Sequence, residues 1–143
     1  MKPAAKTITV SAERVIAASP AQVFDAWLNP KTPGTPWHEG DKLIFNPTVD
    51  GLFYRLISGT GHFGRFTKLD RPRRIQHTWM SKSTQGVEST LTVTFKKKGD
   101  DTLMSLQHSG LPSSAGGTSH NAGWKYFLDQ LVDHFAVGAR RQK

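Results

Sequence analysis

Three histidines, His62, His77 and His108, lie in stretches rich in aromatic and hydroxyl side chains. Imidazole is the side chain whose ordinary pKa lies closest to neutrality, so each is a candidate for polar chemistry. Converging with Ser109, Tyr54 or Trp79, they could anchor a ligand carboxylate or carbonyl, or act as acid–base groups. A second candidate is Gly59-Thr60-Gly61-His62-Phe63-Gly64, which has the glycine spacing of a dinucleotide-binding fingerprint. That fingerprint has a mechanism only where its glycines join a strand to a helix N-terminus. Residues 61–69 read as strand, so the stretch is expected to be a hairpin turn, with Gly64 permitting a bend or a close approach. His108 and Ser109 are neighbours on or just past a strand and point apart, and no acidic orienter is identifiable, which argues against a serine-hydrolase triad. The chain has no cysteine and no H-E-x-x-H pattern, so no metal site, disulfide or thiolate nucleophile is expected. Asp25, Glu88, Asp129 and Asp133 are expected at solvent-facing or peripheral positions.

These residues need elements to position them. Residues 7–17 alternate apolar and polar side chains (Ile8, Val10, Ala12, then Val15 and Ala17 after a phase slip), which predicts a half-buried strand. Ser19-Pro20-Ala21-Gln22 carries a capping-box signal with proline at the first helical position. The helix that follows places Val23, Phe24, Trp27 and Leu28 on one face and ends at Asn29-Pro30. Lys31 to Glu39 is expected to be an irregular loop or short helical turn containing Trp37. Strands are expected near 42–46, 52–58, 61–69, 73–81, 86–98 and 101–109, with turn residues at the breaks. Their short connections predict an antiparallel meander. On 52–58 the parity is ambiguous, because both faces carry apolar residues. From about His120 to Val137, Trp124, Phe127, Leu128, Leu131, Val132 and Phe135 recur at helical spacing, giving an amphipathic helix of roughly 27 Å. Gly138 is placed to stop it.

The bulk properties bound the function. With 143 residues and 36% hydrophobic content, the chain suits one compact domain over 1–143, with its core at about 8–137. No segment approaches the length of a membrane span and no signal peptide is evident, so a cytoplasmic location without membrane insertion is expected. The formal charge of +8 gathers at Arg71, Arg73 and Arg74, at Lys96 to Lys98, and at Arg140, Arg141 and Lys143. These are expected turns or ends, and no nucleic-acid-binding module is recognisable, so no nucleic acid partner is expected.

The order strand, helix, meander, long helix becomes more specific in four segments: "ASPAQVFDAWLNP" at 18–30, "GRFTKLDRPRRIQHTWMS" at 64–81, "ESTLTVTFKKKGDDTLMSLQHSG" at 88–110 and "HNAGWKYFLDQLVDHF" at 120–135. On these the chain resembles the START-like (SRPBCC) superfamily, in the branch similar to the C-terminal domain of the activator of heat-shock-protein-90 ATPase. The resemblance implies an α+β helix-grip fold, a curved antiparallel sheet of six or seven strands wrapped around a long C-terminal helix. The segment at 31–47 departs from the commonest pattern of the family, at what would be the cavity mouth. The match is to one domain, so chaperone activation does not follow from the family's name.

In such folds an apolar cavity can lie between sheet and helix. Strand parity and the resemblance together place His62, Phe66, His77, Trp79, Met104, Leu106 and His108 toward it, with Trp124, Phe127, Leu128 and Leu131 from the helix, and Trp37 and Tyr54 are further candidates for its lining. The expected activity is binding of a small hydrophobic, lipid-like molecule, with no cofactor and no residue assigned a catalytic role. The rival expectations are a polyketide cyclase or dehydratase-like enzyme using the cavity histidines, or a protein-interaction module. A homodimer is compatible with the family.

Overall fold

In a computed structural model, the chain folds as one seven-stranded antiparallel sheet in the order β1-β7-β6-β5-β4-β3-β2 with two helices. Residues 6–38 and 40–141 are described, with side chains to 136. Glu39, residues 1–5 and the basic side chains Arg140, Arg141 and Lys143 therefore lie outside the described residues. The elements are β1 (Thr7–Ile16), α1 (Pro20–Trp27), β2 (Leu43–Phe45), β3 (Leu52–Ile57), β4 (Thr60–Asp70), β5 (Arg74–Trp79), a short 3-10 turn (Lys82–Thr84), β6 (Ser89–Lys98), β7 (Asp101–Pro112) and α2 (Ala115–Arg141). This is the α+β helix-grip arrangement, with both helices against one face of the curved sheet.

Local chemistry explains most of the boundaries. Ser19 caps α1, accepting from the Gln22 amide while the Gln22 side chain accepts from the Ser19 amide, and Val23, Phe24 and Trp27 are buried beneath it. The β3–β4 connection is the two-residue turn Ser58-Gly59, both residues at positive φ (49° and 80°), as the right-handed twist of a hairpin favours. Thr60 pairs back to Ile57, so no helix follows the glycines and the fingerprint reading is excluded. Beyond Gly64, Thr67 is an extra residue between the Phe66–His77 and Lys68–Gln76 pairs, a bulge of the kind that bends and twists a strand. Gly64 serves a close approach: a Cβ there would meet the Thr78 carbonyl oxygen at 2.1 Å.

Three boundary expectations are corrected. β1 alternates without a phase slip, its even-numbered residues facing inward, so Val15 is 42% exposed and Arg14 takes an inward place, held by Asp129 of α2 at 2.8 Å. β7 runs on to Pro112 through a bulge at Ser109-Gly110, opposite Ile8–Val10. Helix α2 begins at Ala115 rather than near His120 and continues past Gly138, and Ser114 receives the Gly117 amide at its start.

The Gly116-Gly117 pair hides this first turn from a periodicity reading, because glycine is a poor helix former. Its reason is steric. A Cβ on Gly117 would come within 1.8 Å of the Pro112 carbonyl oxygen and one on Gly116 within 2.7 Å of that of Ser83, whereas Gly123 faces open space. Two alanine substitutions in one helix should therefore move stability in opposite directions. Gly123→Ala is expected to stabilise by up to about 1 kcal/mol, and Gly117→Ala to destabilise by about 2 kcal/mol through overpacking. Thermal melts of the two variants check the sign.

Candidate functional site

The face of the sheet toward the helices is occupied in three zones. In the first, the irregular segment after α1 turns Trp37 inward to 1% exposure. Its ring lies 4.8 Å from those of Phe45 and Phe53, 5.6 Å from His77 and 6.1 Å from Phe66. The segment can lie flat on α2 because Gly34 has no Cβ to strike the Leu131 amide, 2.5 Å from where that atom would stand. Trp37 thus plugs one end of the interior with an aromatic cluster. Met104, Leu106, Leu128 and Leu131, all at most 1% exposed, fill the middle as core. His77 donates from Nδ1 to the Thr78 carbonyl oxygen at 2.8 Å, while its Nε2 has no partner. Burial pushes His77 down to about 4, against the opposing pull of that carbonyl, so the ring is neutral.

The second zone is a directed hydrogen-bond chain. The Trp124 indole Nε1 donates to Nδ1 of His108 at 2.9 Å, and an indole N–H can only donate. Nδ1 is therefore the lone-pair nitrogen, and Nε2 carries the proton toward Ser89 Oγ at 2.6 Å. The Ser89 hydroxyl in turn donates to the Trp79 carbonyl at 2.6 Å. Burial, with His120 and His77 nearby, pushes His108 down to about 3, in keeping with a neutral ring. Both ring nitrogens are engaged, so His108 joins α2 to β5 and β6 and has no nitrogen left over for a substrate. The partner is Ser89, which the register places beside Trp79, and not the adjacent Ser109.

The third zone is open. A cleft of about 560 Å³ lies between the β3–β4 turn, the 3-10 turn and the first half of α2, and is lined by Ile57, Ser58, His62, Ser83, Ser119, His120, Ala122, Gly123, Tyr126 and Phe127. His62 stacks on Trp79 with ring centroids 4.9 Å apart, and its Nδ1 is buried without a partner. Burial first, then the proximity of His120, pushes His62 down to about 4. Nδ1 of His120 lies 2.9 Å from the Gly116 carbonyl and 3.2 Å from that of Gly117. Carbonyls only accept, so Nδ1 carries the proton and Nε2 is the acceptor nitrogen. Burial lowers the pKa of His120, opposed by those two carbonyls. None of the lining residues is Asp, Glu, Lys or Arg.

Of the residues expected to line the cavity, His62 and Phe127 line the cleft, Trp79 backs it, and the others just described pack the plug, the core or the hydrogen-bond chain. Tyr54 is the exception: it pairs with the exposed Phe63 across β3 and β4 and lines a groove on the opposite face of the sheet. The inward residues of β3 are Phe53 and Arg55, whose guanidinium donates to the Gly40 carbonyl at 3.1 Å. An inward arginine made the parity ambiguous. His120 was missed by sequence reasoning, although it stands four residues before Trp124 on the same buried stripe. Ser58, Ser83, Ser119 and Tyr126 carried no comparable signal. Among the described residues no group of three or more His, Cys, Asp or Glu could hold a metal ion, and no helix is long and apolar enough to cross a membrane.

Solved structures share this architecture. CV1439 from Chromobacterium violaceum aligns with a TM-score of 0.74 at 23% identity, covering 89% of this chain and 96% of that one. The Aha1 dimer from Colwellia psychrerythraea aligns at 0.73 and 19% identity, over 92% and 98% of the two chains. PFC0360w, an HSP90 activator from Plasmodium falciparum, aligns at 0.71 and 24%, over 85% and 91%. No curated protein matches the chain. The family model described as "Activator of Hsp90 ATPase homolog 1-like protein" matches residues 17–136. With most of its length matched, from the end of β1 into α2, the chain belongs to that family, within the START-like superfamily.

Proposed function

We propose that the cleft binds a small, neutral, mostly apolar molecule that carries a hydroxyl or carbonyl group. The observation that carries this reading is the pair of imidazoles, His62 and His120, on the wall of a cleft of about 560 Å³ whose other lining is apolar or hydroxyl-bearing, since a few polar groups on a mostly apolar wall are the ordinary make-up of a small-molecule site. The volume falls in the range of small-molecule sites, roughly 300–1,000 Å³. Ile57, Tyr126 and Phe127 offer apolar wall, and His62 and His120 offer hydrogen bonds. A carboxylate would be held poorly: no cationic side chain among the described residues lines the cleft, and an unpaired charge is costly to desolvate. The absence of cysteine fits a cytoplasmic setting.

Calorimetric titration with neutral phenols and aliphatic alcohols, set against the matching carboxylates, tests the proposal. The neutral probes are expected to bind, and His62→Ala to weaken them about 10-fold, equivalent to about 1.4 kcal/mol. Carboxylates binding as tightly, or an alanine variant with unchanged affinity, would count against it. A second reading rests on the two neutral imidazoles facing one cleft, which could transfer a proton within a bound molecule. Loss of turnover at unchanged affinity in His120→Gln would favour that reading.

A further inference from the structure

The outer face of the sheet changes character halfway across. Over β1, β7, β6 and β5 one register row reads Ser11, Gln107, Thr92, Gln76, an ordinary solvated surface. Over β2, β3, β4 and the residue after β5, another row reads Ile44, Tyr54, Phe63, Met80, each paired with the next across the strands. Leu52 flanks it. Ile44 is 65% exposed, Leu52 61% and Phe63 42%. These side chains line a groove of about 410 Å³ with Arg65 and Glu88 among its walls. Gly61 lies beneath the Tyr54 ring, where a Cβ would come within 2.9 Å of the ring carbons, and this lets the aromatic row lie flat. Three strands and the bridged Met80 aligned in one mostly apolar row, with Ile44, Leu52 and Phe63 open to water, have the signature of an interaction surface.

We propose that this face is the two-fold interface of a homodimer, with Phe63 near the axis. The charge pattern selects the occupant. Arg65 and Glu88 lie on the same groove, and a two-fold contact is self-complementary, so Glu88 of each copy meets Arg65 of the other. Arg65 already binds Asp50 at 2.7 Å through one nitrogen, and the guanidinium fork has further donors for a second carboxylate. An acidic protein would instead be drawn to the basic cleft formed by Arg73, Arg74, Lys96 and Lys97, elsewhere on a chain of net charge +8.

Sedimentation equilibrium over a concentration series of the full chain tests the interface. The wild type is expected to be a dimer at micromolar concentration. Phe63→Lys is expected to weaken association about 30-fold or more, as loss of a central anchor does, with an unchanged circular dichroism spectrum. Glu88→Lys and Arg65→Glu should each weaken it, and the double reversal Arg65→Glu/Glu88→Lys should recover most of the loss. That recovery cannot arise from misfolding. A wild type that stays monomeric at the highest soluble concentration would overturn the proposal and leave the groove to a different protein. A dimer insensitive to Phe63→Lys and to both charge changes would place the interface elsewhere and overturn it equally.

Discussion

Replacing His108 with leucine is expected to destabilise the fold by about 3 kcal/mol, even though the two side chains are similar in volume. The imidazole accepts from Trp124 and donates to Ser89. Leucine leaves a buried indole N–H with no acceptor, at about 1–3 kcal/mol, and strips the Ser89 hydroxyl of its donor. Trp124→Phe should also destabilise, through the orphaned Nδ1 lone pair. Once both members are gone no polar atom is stranded between them, so the double variant is expected to cost about 1–2 kcal/mol less than the sum of the singles. Urea unfolding at neutral pH measures all three. Strictly additive losses would show that the ring is held by shape alone.

Lowering the pH from 7 to 5 is expected to remove about 4 kcal/mol of stability through His77 and His108 together. Their folded values lie at about 4 and about 3, below the ordinary 6.5 of the unfolded chain. Above pH 6.5 neither state binds the protons and the native fold has its full advantage. As the pH falls through 6.5 the unfolded chain takes up protons that the buried rings refuse, and each group removes about 1.4 kcal/mol per pH unit until its folded value is reached. A domain of this size has about 5–15 kcal/mol in total, so its melting temperature should drop steeply between pH 6.5 and 4. His77→Met should make that curve shallower by about one proton. At neutral pH it should cost about 1 kcal/mol, the net worth of the bond from Nδ1 to the Thr78 carbonyl, since Nε2 has no partner to lose. A melting temperature that is flat from pH 7 to 5 would show that the unfolded chain gains no protons over the folded one.

Regular elements were legible wherever a side-chain period met a single buried face. Leu91, Val93 and Phe95 alternate inward on β6, and Trp124, Leu128 and Leu131 recur along α2. The start of α2 was not legible, since Gly116 and Gly117 are selected by contacts with Ser83 and Pro112 that no local pattern encodes. Nor was the side of the sheet that Tyr54 faces: β3 is apolar on both sides, one for the core and one for the outer groove. Trp37 was recognisable as a buried aromatic in waiting, but its place depends on how an irregular segment drapes across α2. The separate fates of the three histidines follow from register. The cross-strand partners of His108 lie on β6 and α2, and only His62, beside a turn, reaches the open end. His120 belonged with them and was overlooked because it lies just inside a helix whose beginning was set too late.

The strand order has a consequence for how the chain is made. From β2 to β7 each strand pairs with its sequence neighbour, so hairpins can form as each new strand is completed. β1 cannot join them, because its partners run from Thr102 to Pro112 on β7. At ribosomal speeds of about 5–20 residues per second, the first strand synthesised waits on the order of 5–20 s for the last strand of the sheet, with Ile8, Val10 and Ile16 unshielded. Closure of the long-range β1–β7 pair, followed by α2 docking across it, is then the step that sets the folding rate. The chain is most exposed to aggregation during that wait.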